Sequence, residues 1–235
     1  MSFTSAPPAL IDPKAIRSAE REVARLQKAY PDFSRNRLVA QVIKYHCVKA
    51  GAIGGATTAL GMIPAFGKLG QWALGLVGDA AATAQLQTAL VLQVFALHER
   101  TLDAEDEKRL LTWIATMGAG GGEVLEQMGT AVVKRVAQSF AGRFLKRGLP
   151  WFEVTLSSTL HVGGTYLIGR RAQLYCQLDG DMKAVEAFEK QHPGIDVRRI
   201  ANWVKLGLSK TIETAEGAGL SVMAAIRKLV SSGAP

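Results

Sequence analysis

Residues 50–97 read AGAIGGATTALGMIPAFGKLGQWALGLVGDAAATAQLQTALVLQVFAL. In these 48 residues only Lys68 and Asp79 are charged. Met62-Ile63-Pro64-Ala65-Phe66-Gly67 interrupts the stretch about a third of the way along. Proline removes a helical hydrogen bond, and flanking glycines release the backbone, so one helix ends there and another begins. The pattern predicts an apolar helix, a corner at Pro64 and Gly67, and a second apolar helix. A helix that is apolar all round belongs either in a membrane or at the heart of a helical globule.

Composition narrows the setting. The chain has 235 residues, enough for one domain with a substantial core. Apolar residues make up 48% and charged residues 20%, with a mean hydropathy of +0.12. That is more apolar than ordinary usage and too polar for a multispanning transporter. The net charge of +8 favours anionic partners. Residues 1–49 hold nine Lys/Arg against four Asp/Glu, and residues 130–150 hold five against none. The basic excess therefore lies beside apolar stretches. Aromatic content is 7%, and no basic run is interleaved with stacking aromatics. An anionic membrane surface is the expected partner, and nucleic acid is not. Two cysteines, Cys47 and Cys176, make no disulfide framework. Residues 1–12 lack the features of a secretion signal, which leads to the expectation of a cytoplasmic origin.

Outside the central stretch the periodicity is helical throughout, with no sustained alternation of strand type. Asp12-Pro13 reads as an N-cap followed by a first-turn proline. Asp103, Glu105, Asp106 and Glu107 open a helix where carboxylates suit the dipole. Glu123 to Leu145 is an amphipathic helix. Its basic residues Lys134 and Arg135, followed by Arg143, Lys146 and Arg147, are the expected contact with an anionic surface. Leu149-Pro150-Trp151-Phe152 repeats the Ile63-Pro64-Ala65-Phe66 corner 86 residues later. The predicted fold is all-α, a bundle of about eight helices built round two apolar helix–Pro–helix hairpins. Residues 1–11 are expected to be an arm, 12–191 the core, and 192–235 a helical tail breaking near Ser209.

No reaction centre can be assembled. His46, His98, His161 and His192 fit no zinc motif, and His46 and Cys47, as helix neighbours, point apart. Gly118 to Gly122 are followed by Glu123-Val124, where a phosphate loop needs Lys and Ser/Thr. The acidic first turn lacks the framework of a calcium loop. The expectation is a non-enzymatic protein with no cofactor and no metal.

The chain resembles the bacterial EcsC-like proteins and the related YcjF-type membrane-associated domain. The resemblance runs from Asn36 through Tyr175, about 60% of the chain. It rests on the Gly/Ala-rich helix, Ile63-Pro64 with Gly67, Asp79 with Leu86-Gln87, the basic helix with Leu149-Pro150, and Thr165-Tyr166-Leu167-Ile168-Gly169-Arg170 with Tyr175. Trp151-Phe152-Glu153 departs from the small turn usual there. The resemblance implies a helical protein associated with a membrane. Some such proteins are linked with transporter or secretion functions, and some accompany a GTPase. It implies no catalytic residues.

Together these readings predict attachment to the cytoplasmic side of the bacterial inner membrane, with a protein partner or a homodimer as a further expectation. Ala50–Gly67 is an uncharged run of 18 residues, at the lower limit for a span. Arg35, Arg37, Lys44 and Lys49 precede it, consistent with a cytoplasmic start. The alternative is a soluble, cytoplasmic helical interaction module or ligand-binding bundle with no membrane contact, with the Gly/Ala helix as its buried centre.

Overall fold

The computed structural model describes residues 11–61, 76–118, 131–136, 151–192 and 196–218. They form eight helices and, among the described residues, no strand. These are α1 (Pro13–Ala29), α2 (Arg35–Gly61), α3 (Leu76–Leu97), α4 (Ala104–Gly118), α5 (131–136), α6 (Trp151–Gln177), α7 (Met182–Gln191) and α8 (Val197–Ala218). The all-α class is as the periodicity predicts. Pro64, Gly67, Pro150, Lys68, Arg143, Lys146, Arg147 and the first ten residues lie outside the described residues.

Short polar side chains set the helix starts. Asp12 Oδ1 accepts from the Lys14 amide at 2.8 Å, and Pro13 occupies the first helical position. Asp103 caps α4, accepting from the amides of Glu105 (2.9 Å) and Asp106 (2.7 Å). Asp181 and Asp196 do the same for α7 and α8. Each cap satisfies amides that have no partner within the helix. The expected break near Ser209 is absent. Asp196 starts one continuous helix that runs through Gly207 to Ala218.

α2 is the central element. It packs most extensively on α6, then on α8 and α3. Residues 50–56 are all buried. Gly51 and Gly55 stand four apart, and each lies where a side chain would collide with a neighbouring helix. A Cβ on Gly51 would meet Val162 Cγ2 at 2.8 Å, and one on Gly55 would meet Leu208 Cδ2 at 2.6 Å. Ser158 Oγ donates to the Gly51 carbonyl at 2.6 Å, and Ser157 Oγ to the Gly54 carbonyl at 3.0 Å. Hydroxyls in an apolar helix ordinarily bond back to their own preceding turn, as Thr159 does to Thr155 at 2.7 Å. Ser157 and Ser158 instead cross to α2, because the glycines bring its carbonyls within reach. The first part of the apolar stretch is therefore sealed by protein. Among the described residues, no helix is long and apolar enough to cross a membrane.

The two helices that follow the Pro-containing corners, α3 and α6, run side by side in the same direction. Gln87 Nε2 donates to Thr165 Oγ1 at 3.4 Å, Leu90 lies over Gly169, and Phe95 stacks on Tyr175. They also end alike. Glu99 (φ 55°) and Asp179 (φ 50°) turn the chain left-handed, and the next amides, Arg100 and Gly180, bond back to Phe95 and Tyr175 at 3.0 and 2.8 Å. Both are six-to-one closures of the kind that satisfies a helix's last carbonyls.

Candidate functional site

Two polar features are internal and hold the bundle together. In the first, His46 Nε2–H donates to Gln93 Oε1 at 3.1 Å, joining α2 to α3. His46 is 3% exposed. Burial pushes its pKa down to about 4, the Lys49 ammonium pushes the same way, and the Gln93 bond only partly opposes them. The neighbouring Cys47 points to α6, with its thiol 3.7 Å from the Val162 carbonyl. His46 and Cys47 do point apart, as their helical spacing predicts.

A stability consequence follows from His46. An unfolded histidine takes up a proton near pH 6.5, whereas the folded one resists it until about pH 4. Stability is therefore full above pH 6.5 and falls as pH drops towards 4, by about 3 kcal/mol in total. In His46→Gln this part of the acid sensitivity should vanish. Urea midpoints measured between pH 7 and pH 4.5 for both proteins test this, and an equal slope in both would contradict it.

In the second, Asp106 on α4 is 3% exposed. It accepts from the Tyr175 hydroxyl at 2.6 Å, and its other oxygen lies 3.5 Å from Arg100 Nε. Arg109 donates to the same hydroxyl at 2.9 Å and pairs with Glu105. The sequence reading assigns this acidic turn to the helix dipole alone. Its period places Asp106 and Leu110 on one buried face, and that was the available signal.

The outward-facing polar feature is a groove of about 520 Å³ between α2, α6 and α8. Four cations line it: Arg37 and Lys44 from α2, Arg170 from α6 and Arg199 from α8. No carboxylate is among its lining residues. Three aromatic rings supply the walls. Arg37 lies 4.0 Å over the Phe33 ring, and Tyr166 meets Trp203 edge-on at 5.8 Å. Arg170 Nη2 donates to the His192 carbonyl at 3.0 Å, which braces the guanidinium at the edge of the groove. Asp196 stands 3.6 Å from Arg199 Nε and offsets part of that charge. Guanidinium groups present planar donors that suit phosphate and carboxylate oxygens.

Each helix contributes a stripe at helical spacing: Arg37, Gln41 and Lys44 on α2; Tyr166, Arg170 and Gln173 on α6; Arg199 and Trp203 on α8. Of the basic residues expected to meet an anionic surface, Lys134 and Arg135 are exposed on α5. Neither is among the residues lining the groove. Among the described residues, no group of three or more His, Cys, Asp or Glu converges as metal ligands would. No family model, no curated protein and no solved structure matches the chain.

Proposed function

We propose that this chain is a non-enzymatic helical protein that attaches to an anionic membrane surface by charge, through the groove between α2, α6 and α8. One observation carries the reading: four cations from three helices converge on a groove with no carboxylate in its lining. Basic side chains near an anionic bilayer are attracted by about 1 kcal/mol each. Aromatic rings beside them suit the headgroup region, where one end of a side chain is apolar and the other wet. The EcsC-like resemblance supports the same setting, the cytoplasmic face of a bacterial inner membrane, in support of a transporter, secretion or envelope system. Lys134 and Arg135, exposed on α5, would add to the attraction. Burial of residues 50–56 favours a second reading, an interaction module without membrane contact.

Sedimentation with vesicles tests the proposal. Wild-type protein should bind phosphatidylglycerol vesicles and not neutral phosphatidylcholine ones. Neutralising Arg37, Arg170 and Arg199 together to Gln should weaken binding on the order of 100-fold, from about 1 kcal/mol each. Arg37 and Arg199 are exposed and Arg170 is half-buried, so an unchanged circular dichroism spectrum should accompany the binding measurement. Unchanged binding in the triple variant would remove the groove from the account. No binding by wild type would favour the interaction module.

A further inference from the structure

The groove between α2, α6 and α8 holds its cations in set places. The crossing of α2 and α6 positions two of them. A Cβ on Gly169 would meet Ile43 Cγ1 at 2.9 Å, so a glycine lets α6 come this close to α2. Ile43 lines the groove, and the residue after Ile43 and the residue after Gly169 are both cations, Lys44 and Arg170. Arg37 enters from further back on α2, and Arg199 from α8. Ile43 and Trp203 are buried and give the groove an apolar floor.

Each guanidinium is also steadied by a contact of its own. Arg37 lies 4.0 Å over the Phe33 ring. Stacking engages the face of a guanidinium and leaves its in-plane N–H groups directed away from the ring. Arg199 meets Asp196 through Nε, and Arg170 meets the His192 carbonyl through Nη2. Donors fixed in advance lose less freedom when an anion arrives. Attraction to a charged surface needs no such arrangement, since exposed basic side chains such as Lys134 and Arg135 serve as well.

Three guanidiniums from three helices suit an anion whose oxygens point in three directions. A carboxylate offers two oxygens in one plane, and a single guanidinium fork covers both. The phosphodiester of a lipid also offers two free oxygens, with one charge. A phosphomonoester offers three, with a charge of about −1.5 to −2 at pH 7. Resting on the membrane reading above, we propose that the groove selects the terminal phosphomonoester of a membrane lipid over the phosphodiester of other anionic lipids. The phosphate sits among Arg37, Arg170 and Arg199, Lys44 adds charge, and the acyl chains stay in the bilayer.

Sedimentation of the whole chain with phosphatidylcholine vesicles tests this, the vesicles carrying either phosphatidic acid or phosphatidylglycerol at matched zeta potential. Binding to phosphatidic acid should be about tenfold tighter, the effect of one further charge-assisted hydrogen bond. Arg37→Lys keeps the charge, removes the planar fork and should cut that ratio to about threefold or less. Arg199→Lys should cut it in the same way. Lys28→Gln, exposed on α1 and outside the groove, should leave the ratio as it is. Free glycerol 3-phosphate, titrated without vesicles, should bind in the millimolar range only. Equal binding to the two vesicles would overturn the proposal and leave attachment by charge standing. A ratio that neither lysine variant moves would overturn it too. Micromolar binding of free glycerol 3-phosphate would give the groove to a soluble phosphomonoester and overturn the lipid assignment. No binding to either vesicle would remove this proposal and the membrane reading together.

Discussion

Gly207→Ala is expected to lower stability by about 3 kcal/mol, the upper part of the usual cost of overpacking a core. A Cβ at this position would stand 2.8 Å from the Val48 carbonyl oxygen, 2.9 Å from the Ala52 nitrogen and 3.0 Å from the Gly51 carbonyl carbon. All three are backbone atoms of α2, so no side chain can rotate away to make room. Helix propensity alone favours Ala over Gly by about 1 kcal/mol, so the predicted sign is opposite to what α8 in isolation would give. The substitution should move α8 away from α2 and loosen the groove that both helices line. Chemical denaturation checks this as a fall in midpoint with an unchanged slope. A neutral or stabilising result would show that α8 does not seal the Gly/Ala stretch.

The second large effect is expected at Asp106. Removing a buried carboxylate from its pair strands the partner charge, and such losses run to about 3–5 kcal/mol. Arg100 keeps 26% of its side chain exposed, so the lower end applies. Asp106→Ala should cost about 3 kcal/mol. It would leave Arg100 stacked over Tyr175 at 4.7 Å without a counter-charge, and the Tyr175 hydroxyl would lose its acceptor. Tyr175→Phe removes only a hydroxyl that bridges Asp106 and Arg109, at about 1 kcal/mol. The double variant should cost less than the sum, because the two residues share one bond. Strict additivity would mean that the 2.6 Å contact contributes nothing in solution. Asp106 ties α4 to the end of α3 through Arg100 and to α6 through Tyr175. Losing it should loosen the attachment of α4 to α3 and α6.

The sequence made the helices plain and left their neighbours obscure. Asp12-Pro13 and Asp103 announce their caps because capping is a local event within three residues. The Gly51/Gly55 spacing reads equally well as a membrane contact or a packed globule. Only the positions of Val162 and Leu208 decide it, and both are over a hundred residues away. The basic groove was hidden for the same reason. Arg37 and Lys44 look like flanking charges of an apolar helix, Arg170 like a helix end, and Arg199 like part of a polar tail. Their convergence depends on α6 and α8 packing against the same part of α2. Lys134 and Arg135 are conspicuous in the sequence because their charges are contiguous. Asp106 does stand in the acidic first turn of α4, and its burial and its bond to Tyr175 depend on a helix 69 residues further along the chain.

On the proposed function, the Gly/Ala stretch belongs to the protein core and contact with membranes is made by charge. Salt tests this most directly. Wild-type protein bound to phosphatidylglycerol vesicles at low ionic strength should be released into the supernatant at about 1 M salt, where the screening length shrinks to about 3 Å. Protein that stays with the vesicles at that salt and comes away only with detergent would contradict the account, because its apolar segments would then lie in lipid.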